Sequence, residues 1–211
     1  MKRLVLVGVS TAAVALFGWV SPVQATPITY TETATASGVL DGHSFTNALV
    51  TITGFGDTSN IAPFGNGCGP CLVNLLGHGV TVNVAGVGTD TFTDPVGIID
   101  FPFLAPDLGG FAGVAWVDAA PQTNGVLLVP TITNAFLGYG LGPIGPITGA
   151  GSPPAGGPAG ASYSTTLGTF QWTYPVTSTF TARVPEPATL TLTALGLAGV
   201  VLRYRRRRSA S

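Results

Sequence analysis

The stretch ITYTETATA, Ile28–Ala36, alternates threonine with other residues, and SFTNALVTITG, Ser44–Gly54, sets Ala48, Val50 and Ile52 on one face. Alternation with a period of two is the mark of a strand with one face toward a core, and β-branched residues suit it. Further stretches of this kind run along the chain. Val80, Val82 and Val84 share a face within Gly79–Val84, and Thr89–Thr93 follows a Gly-containing connection that makes a hairpin with it. Val114–Val117, Val126–Thr133, Tyr163–Tyr174 and Val176–Arg183 complete a set of about eight strands.

The reading is therefore all-β, a single β-sandwich or jelly-roll-like domain over residues 26–184. Thirty Gly, seventeen Pro and one Met in 211 residues argue against helix, and 45% hydrophobic residues is enough for a core. Leu72–Leu76 and Asn134–Tyr139 are the two places with room for a helical turn or two. Leu141–Gly160, LGPIGPITGAGSPPAGGPAG, reads as a long flexible surface loop within the domain rather than a boundary between two. No repeat of fixed period appears, which disfavours a propeller or solenoid.

Only 8% of residues are charged, and every base lies near an end: Lys2, Arg3, Arg183, Arg203 and Arg205–Arg208. The acids Glu32, Asp41, Asp57, Asp90, Asp94, Asp100, Asp107 and Asp118 occupy the base-free interior. A domain whose one Lys or Arg is Arg183, at its very end, cannot displace phosphate counterions along a surface, which argues against a nucleic-acid partner.

The first 25 residues have the form of a secretory signal peptide. Lys2 and Arg3 precede the apolar run LVLVGVSTAAVALFGWV, and small residues before the cut place cleavage after Ala25. Export through the Sec machinery would deliver the chain to an oxidising compartment, where two cysteines can pair. At the other end, Pro185-Glu186-Pro187 is followed by an uncharged apolar segment over 188–202 and then by Arg203, Arg205, Arg206, Arg207 and Arg208. A helix over 188–202 would reach about 22 Å at 1.5 Å per residue, short of the roughly 30 Å hydrocarbon core. It is a short transmembrane helix that needs local thinning and snorkelling arginines, and the basic cluster acts as a cytoplasmic stop-transfer signal.

This tail resembles the PEP-CTERM sorting signal of Gram-negative bacteria, in which Val-Pro-Glu-Pro precedes a short hydrophobic helix and a basic tail. The resemblance implies that the chain is the substrate of an exosortase, a membrane-embedded transpeptidase-like enzyme. The membrane would hold it through the tail before processing, and it would then reach the cell surface or extracellular matrix. The phrases SFTNALVTITG, TDTFTD, GPITG and STFTARVPEP resemble, more weakly, the ectodomains that accompany such signals, which implies a β-rich extracellular domain and no particular site residue.

The only cysteines, Cys68 and Cys71, stand in GNGCGPC, the Cys-x-x-Cys spacing of a thioredoxin. A thioredoxin places that motif between a strand and a helix, whose dipole lowers the thiol pKa. Here glycines precede it and no βαβ pattern follows, so a local Cys68–Cys71 disulfide is expected instead. Zinc would need both cysteines, His78 and a fourth ligand, against the oxidising setting, and His43 and His78 read as loop residues between strands.

Asp41, Asp57, Asp90, Asp94 and Asp118 lie near turns, without EF-hand or nonapeptide spacing; solvated turn aspartates are expected, with a structural Ca2+ as the alternative. No Gly-x-Ser-x-Gly or His-Glu-x-x-His occurs, and no catalytic residue, cofactor or catalytic metal is assigned. The function expected is that of a non-enzymatic envelope or matrix protein. The alternatives are a lectin-like exopolysaccharide binder, with Trp116, Trp172, Tyr163 and Tyr174 as stacking platforms although core packing explains them better, and a secreted hydrolase.

Overall fold

The computed structural model describes residues 25–64, 71–105, 111–118, 127–151, 162–173, 175 and 177–185. Among them there is no α-helix, and the all-β expectation holds. The chain begins with β1 (Pro27–Leu40) and β2 (His43–Asp57), two long strands joined by Asp41-Gly42. Both turn residues have positive φ, 52° and 81°, the left-handed geometry of a two-residue hairpin whose twist matches the strands.

There follow β3 (Ile61–Pro63), β4 (Leu72–Gly77), β5 (Thr81–Val84), β6 (Gly88–Thr91), β7 (Val96–Ala105), β8 (Phe111–Asp118) and β9 (Leu127–Ile132). The chain ends with β10 (Ile144–Ala150), β11 (Ser162–Ser164), β12 (Thr169–Trp172) and β13 (Thr177–Arg183). Short 3-10 turns occupy Thr58–Asn60 and Asn134–Phe136.

The hydrogen bonds draw one continuous, curled antiparallel sheet, ordered β3-β4-β7-β8-β9-β10-β13-β1-β2-β5-β6, with β12 also paired to β1 and β11 to β12. They do not divide it into the two separate sheets of a sandwich. The β1–β2 hairpin is the shared spine. Its first half pairs with β13 from Thr29↔Arg183 to Ala34↔Ser178, and its last residues pair with β12 from Gly38↔Trp172 to Leu40↔Phe170. The handover falls at a register shift between Ala36 and Gly38. A Cβ on Gly38 would lie 2.0 Å from the Gln171 carbonyl oxygen, so this crossing admits only glycine.

Beyond the handover, β1, β2, β5, β6, β11 and β12 close a ring. The seam is the Phe92↔Thr165 bridge, with the Thr166 amide donating to the Thr91 carbonyl at 2.9 Å. Phe170 sits within it against Phe45, Phe92, Tyr163 and Trp172, with ring centroids 5.3 to 6.4 Å apart. On the other side of the handover the sheet curls until β4 and β8 lie over β2. Gly54 and Gly56 leave the room for this, since a Cβ on either would meet a Leu76 methyl at 2.6 or 2.7 Å. Tyr30, Ile52, Ile98, Val114, Trp116, Phe136, Leu141 and Phe180 fill that half of the core.

Outside, the pairing aligns hydroxyls in rows. Thr181, Thr31, Thr53, Thr81 and Thr91 stand side by side across five strands, and Thr148, Thr179, Thr33 and Thr51 across four. Two sequence expectations are corrected. Leu72–Leu76 is strand rather than helix, because β4 pairs with β3 on one edge and β7 on the other; Leu76 enters the main core and Val73 is buried on the opposite face, while Leu75 is exposed. Leu141–Gly160 is not one flexible loop, since Leu141 is fully buried and Ile144–Ala150 pairs with β13; residues 152–160 lie outside the described residues.

Candidate functional site

Two features of the chain bear on function: the place where its ends meet, and acids that the core encloses. The pairing Thr29↔Arg183 sets the first turns of the ectodomain beside the last, so both ends leave from one pole. Ala25, the expected cleavage site, is exposed there, as are Arg183 and Pro185, while Val184 is half-buried against the core. The Thr26 amide donates to Thr58 Oγ1 at 3.2 Å, and the Thr58 amide returns a bond to the Thr26 carbonyl at 3.1 Å, which fixes the entering strand. The rest of the sorting motif, Glu186 and Pro187, the apolar segment 188–202, and Arg203 and Arg205 to Arg208 lie outside the described residues, as do residues 1–24 of the expected signal peptide.

Cys71 is fully buried just before β4 and its sulfur is not a free thiol; Cys68 lies outside the described residues. His43 opens β2 rather than lying in a loop, and His78 is exposed, its Nδ1 3.2 Å from the Thr93 carbonyl. Among the described residues no three His, Cys, Asp or Glu side chains gather as a metal-ligand set.

The turn aspartates bond to their own chain. Asp41 Oδ1 accepts from Thr165 Oγ1 at 2.8 Å. Asp90 Oδ1 accepts from the Thr91 amide at 2.7 Å and from Thr166 Oγ1, and its Oδ2 accepts from the Leu167 amide at 2.9 Å. Burial raises the Asp90 carboxyl, but these bonds outweigh it and hold the group well below the usual carboxylate range. Asp41 from the spine hairpin and Asp90 from β6 together clamp the β11–β12 turn from two sides. Asp57 caps the 3-10 turn, accepting from the Ser59 amide at 2.8 Å and from Ser59 Oγ at 2.7 Å.

The acids that sequence reasoning passed over are Glu32 and Asp100. Glu32 shares the inward face of β1 with Ile28, Tyr30, Ala34 and Ala36, and it is completely enclosed. Trp116 Nε1 donates to its Oε2 at 2.9 Å and Thr131 Oγ1 to its Oε1 at 2.6 Å, with Ser178 Oγ 2.8 Å from Thr131 Oγ1. Burial pushes the carboxyl up to about 8, against the lowering effect of the bonds from Thr131, Ser178 and Trp116.

Asp100 on β7 is as deeply buried, and neither carboxylate oxygen has a partner; burial alone pushes it up to about 8. Asn74 stands a diagonal step away on β4, donating through Nδ2 to Tyr30 Oη at 2.9 Å and to the Asp57 carbonyl at 3.1 Å, with its own Oδ1 unpaired. Tyr30 in turn donates to the Leu141 carbonyl at 2.8 Å, which ties the 137–142 segment across this end of the core. The inward alternation of Ile28, Tyr30, Glu32 and Ala34 is the signal that would have found Glu32.

Trp116 and Trp172 are buried and Tyr163 is half-buried, so these rings are core, in line with the preferred reading; Tyr174 lies outside the described residues. Neither a curated protein nor a solved structure matches the chain. A protein-family profile described as the PEP-CTERM protein-sorting motif does match, over residues 183–207. The match begins at the last residue of β13, so the chain carries at its C-terminal end a motif that marks an exported, cell-surface-targeted protein sorted in association with an exosortase.

Proposed function

We propose that this chain is a non-enzymatic cell-envelope or extracellular-matrix protein of a Gram-negative bacterium. In this reading the precursor crosses the inner membrane through the Sec machinery and is held there by residues 188–202. An exosortase then cuts at Pro185-Glu186-Pro187, and a Cys68–Cys71 disulfide stiffens the loop before β4. The observation that carries it is the sorting-motif match at residues 183–207, placed directly after the final strand. Two prolines favour an extended segment and remove two of its amide donors, the form in which a protease-like cleft takes a peptide.

Neither alternative gains an observation of its own. The saccharide platform loses Trp116 and Trp172 to the core, and Glu32 and Asp100, the acids with raised pKa, are enclosed rather than set in a cleft.

The test is intact-mass and peptide mass spectrometry, without reductant, on protein from the native host and from the same host lacking its exosortase. A C-terminus near Pro185–Pro187 in the first, an intact arginine tail in the second, and a mass lower by two hydrogens at Cys68–Cys71 are expected. A full tail in both hosts would refute processing, and two free thiols would refute the disulfide.

A further inference from the structure

The pole at which both ends leave carries an outward-facing row that the fold does not use. Arg183, Thr29 and Phe55 are consecutive partners across β13, β1 and β2, on the sheet face opposite the core. Phe55 is 65% exposed, and Arg183 is exposed and is the only Lys or Arg among the described residues. An exposed aromatic ring and a guanidinium on either side of Thr29, two strand spacings or about 10 Å apart, on a domain with no other Lys or Arg, match the chemistry of the membrane–water interface. Aromatics sit at headgroup level there and basic side chains meet lipid phosphates. Asp57, two residues after Phe55, accepts from the Ser59 amide and hydroxyl, and Glu186 follows Arg183 by three residues, so the Arg183 guanidinium is the one group of this pole that a lipid phosphate attracts.

Chain length decides the occupant. Only Glu186 and Pro187 separate Pro185 from the apolar segment that starts at Ala188. Three extended steps cover at most about 10 Å. A tail lodged in the bilayer therefore leaves the domain no choice of distance, and this pole must stand against the headgroups.

We propose that, in the unprocessed precursor, the Arg183–Thr29–Phe55 row docks the domain on an anionic lipid surface, with Phe55 entering the interface and Arg183 pairing with phosphate. Docking of this kind orients the domain with its spine rising from the membrane and holds the sorting motif at the bilayer surface. The inference rests on the membrane-held precursor proposed above, and the experiment separates the two.

The chain from Thr26 onward, the expected precursor after signal cleavage, is reconstituted into phosphatidylethanolamine–phosphatidylglycerol vesicles with brominated acyl chains, as Phe55→Trp and, separately, as Leu167→Trp. Leu167 is 75% exposed in the β11–β12 turn, beyond the far end of β1, and serves as the distal control. Fluorescence is measured against the unsubstituted chain, and unchanged melting temperatures certify both variants. The docked precursor floats with the vesicles, and Trp at 55 is quenched severalfold more than Trp at 167. Arg183→Glu in the Phe55→Trp background reduces that quenching with anionic vesicles and leaves it unchanged with phosphatidylcholine alone. Flotation with equal quenching at 55 and 167 overturns the docking and leaves the anchored tail standing. Failure to float overturns both.

Discussion

Trp116 Nε1 meets Glu32 Oε2 at 2.9 Å in a part of the core where neither residue touches solvent. A hydrogen bond from β8 to the spine strand thus crosses the interior of the curled sheet. With no base among the partners of Glu32, its stability contribution is set by a proton.

The folded Glu32 carboxyl titrates near pH 8, the unfolded one near the ordinary value of about 4.3. Between those values the folded state holds a proton that the unfolded state has released, so stability falls as pH rises. The contribution is fully present below about pH 4 and is lost by pH 8, at up to about 1.4 kcal/mol per pH unit. Thermal melts by circular dichroism at pH 5, 6.5 and 8 will show a declining midpoint. Glu32→Gln, which keeps an acceptor for Trp116, will flatten the decline. Glu32→Ala, which takes the acceptor from Trp116 Nε1 and leaves Thr131 only Ser178, will cost about 2–4 kcal/mol at pH 5.

Asp100 gives a sharper sign. Its two unpaired oxygens in the core mean that ionisation has nothing to offset it, and its raised titration adds to the same decline with pH. Asp100→Asn removes the ionisable group at nearly constant volume and will raise the melting temperature at pH 8 by several degrees, with little change at pH 5. A lower melting temperature at pH 8 would mean that the ionised carboxylate is stabilised by the fold.

Gly38 and Gly42 separate steric from conformational need. At Gly38 an added methyl meets the backbone of β12, and Gly38→Ala will cost about 3 kcal/mol or more. At Gly42, with φ of 81° and open space around it, Gly42→Ala will cost only about 1 kcal/mol. Urea midpoints at constant m-value measure both.

Asp90 fastens the β11–β12 turn through the Leu167 amide and the Thr166 hydroxyl. Its lowered carboxyl works in the opposite direction to Glu32: the stabilisation is fully present above the ordinary carboxylate range and is lost progressively as pH falls from that range through the group's own lower value. Asp90→Ala will speed hydrogen exchange at the Leu167 and Thr91 amides by more than tenfold, and exchange in the β1–β2 hairpin will change less. Equal acceleration throughout would show that the turn is no separate unit.

What the sequence disclosed depended on whether a strand had one face in water. β1, β2, β5 and β13 expose threonine on one side, and their alternation was readable. β7 sends Ile98 to the main core and Ile99 to a second buried cluster with Cys71, Ala115 and Val117, so VGIID shows no alternation and no strand was expected there. The same double burial disguised LVNLLG as a helical turn. Tyr163–Tyr174 was read as one strand, whereas the structure breaks it at Thr165–Gly168 into the hairpin of β11 and β12. The sorting motif was legible because it is a local word in the sequence; the pole that presents it was not, since the Thr29↔Arg183 pairing joins positions at opposite ends of the domain.

That long-range pairing also imposes an order in time. β13 lies between β10 and β1, so the hairpin that the chain forms first keeps the Thr29–Ala34 part of its edge empty until residues 177–183 arrive. Contacts of such sequence separation form slowly and late. For a chain emerging from its N-terminus, the strand that completes the sheet is followed at once by Val184 and the Pro-Glu-Pro segment. Closure of the domain and arrival of the sorting motif are then one event, and the fold acts as a clock that withholds a finished ectodomain until the residues that decide its destination have come through.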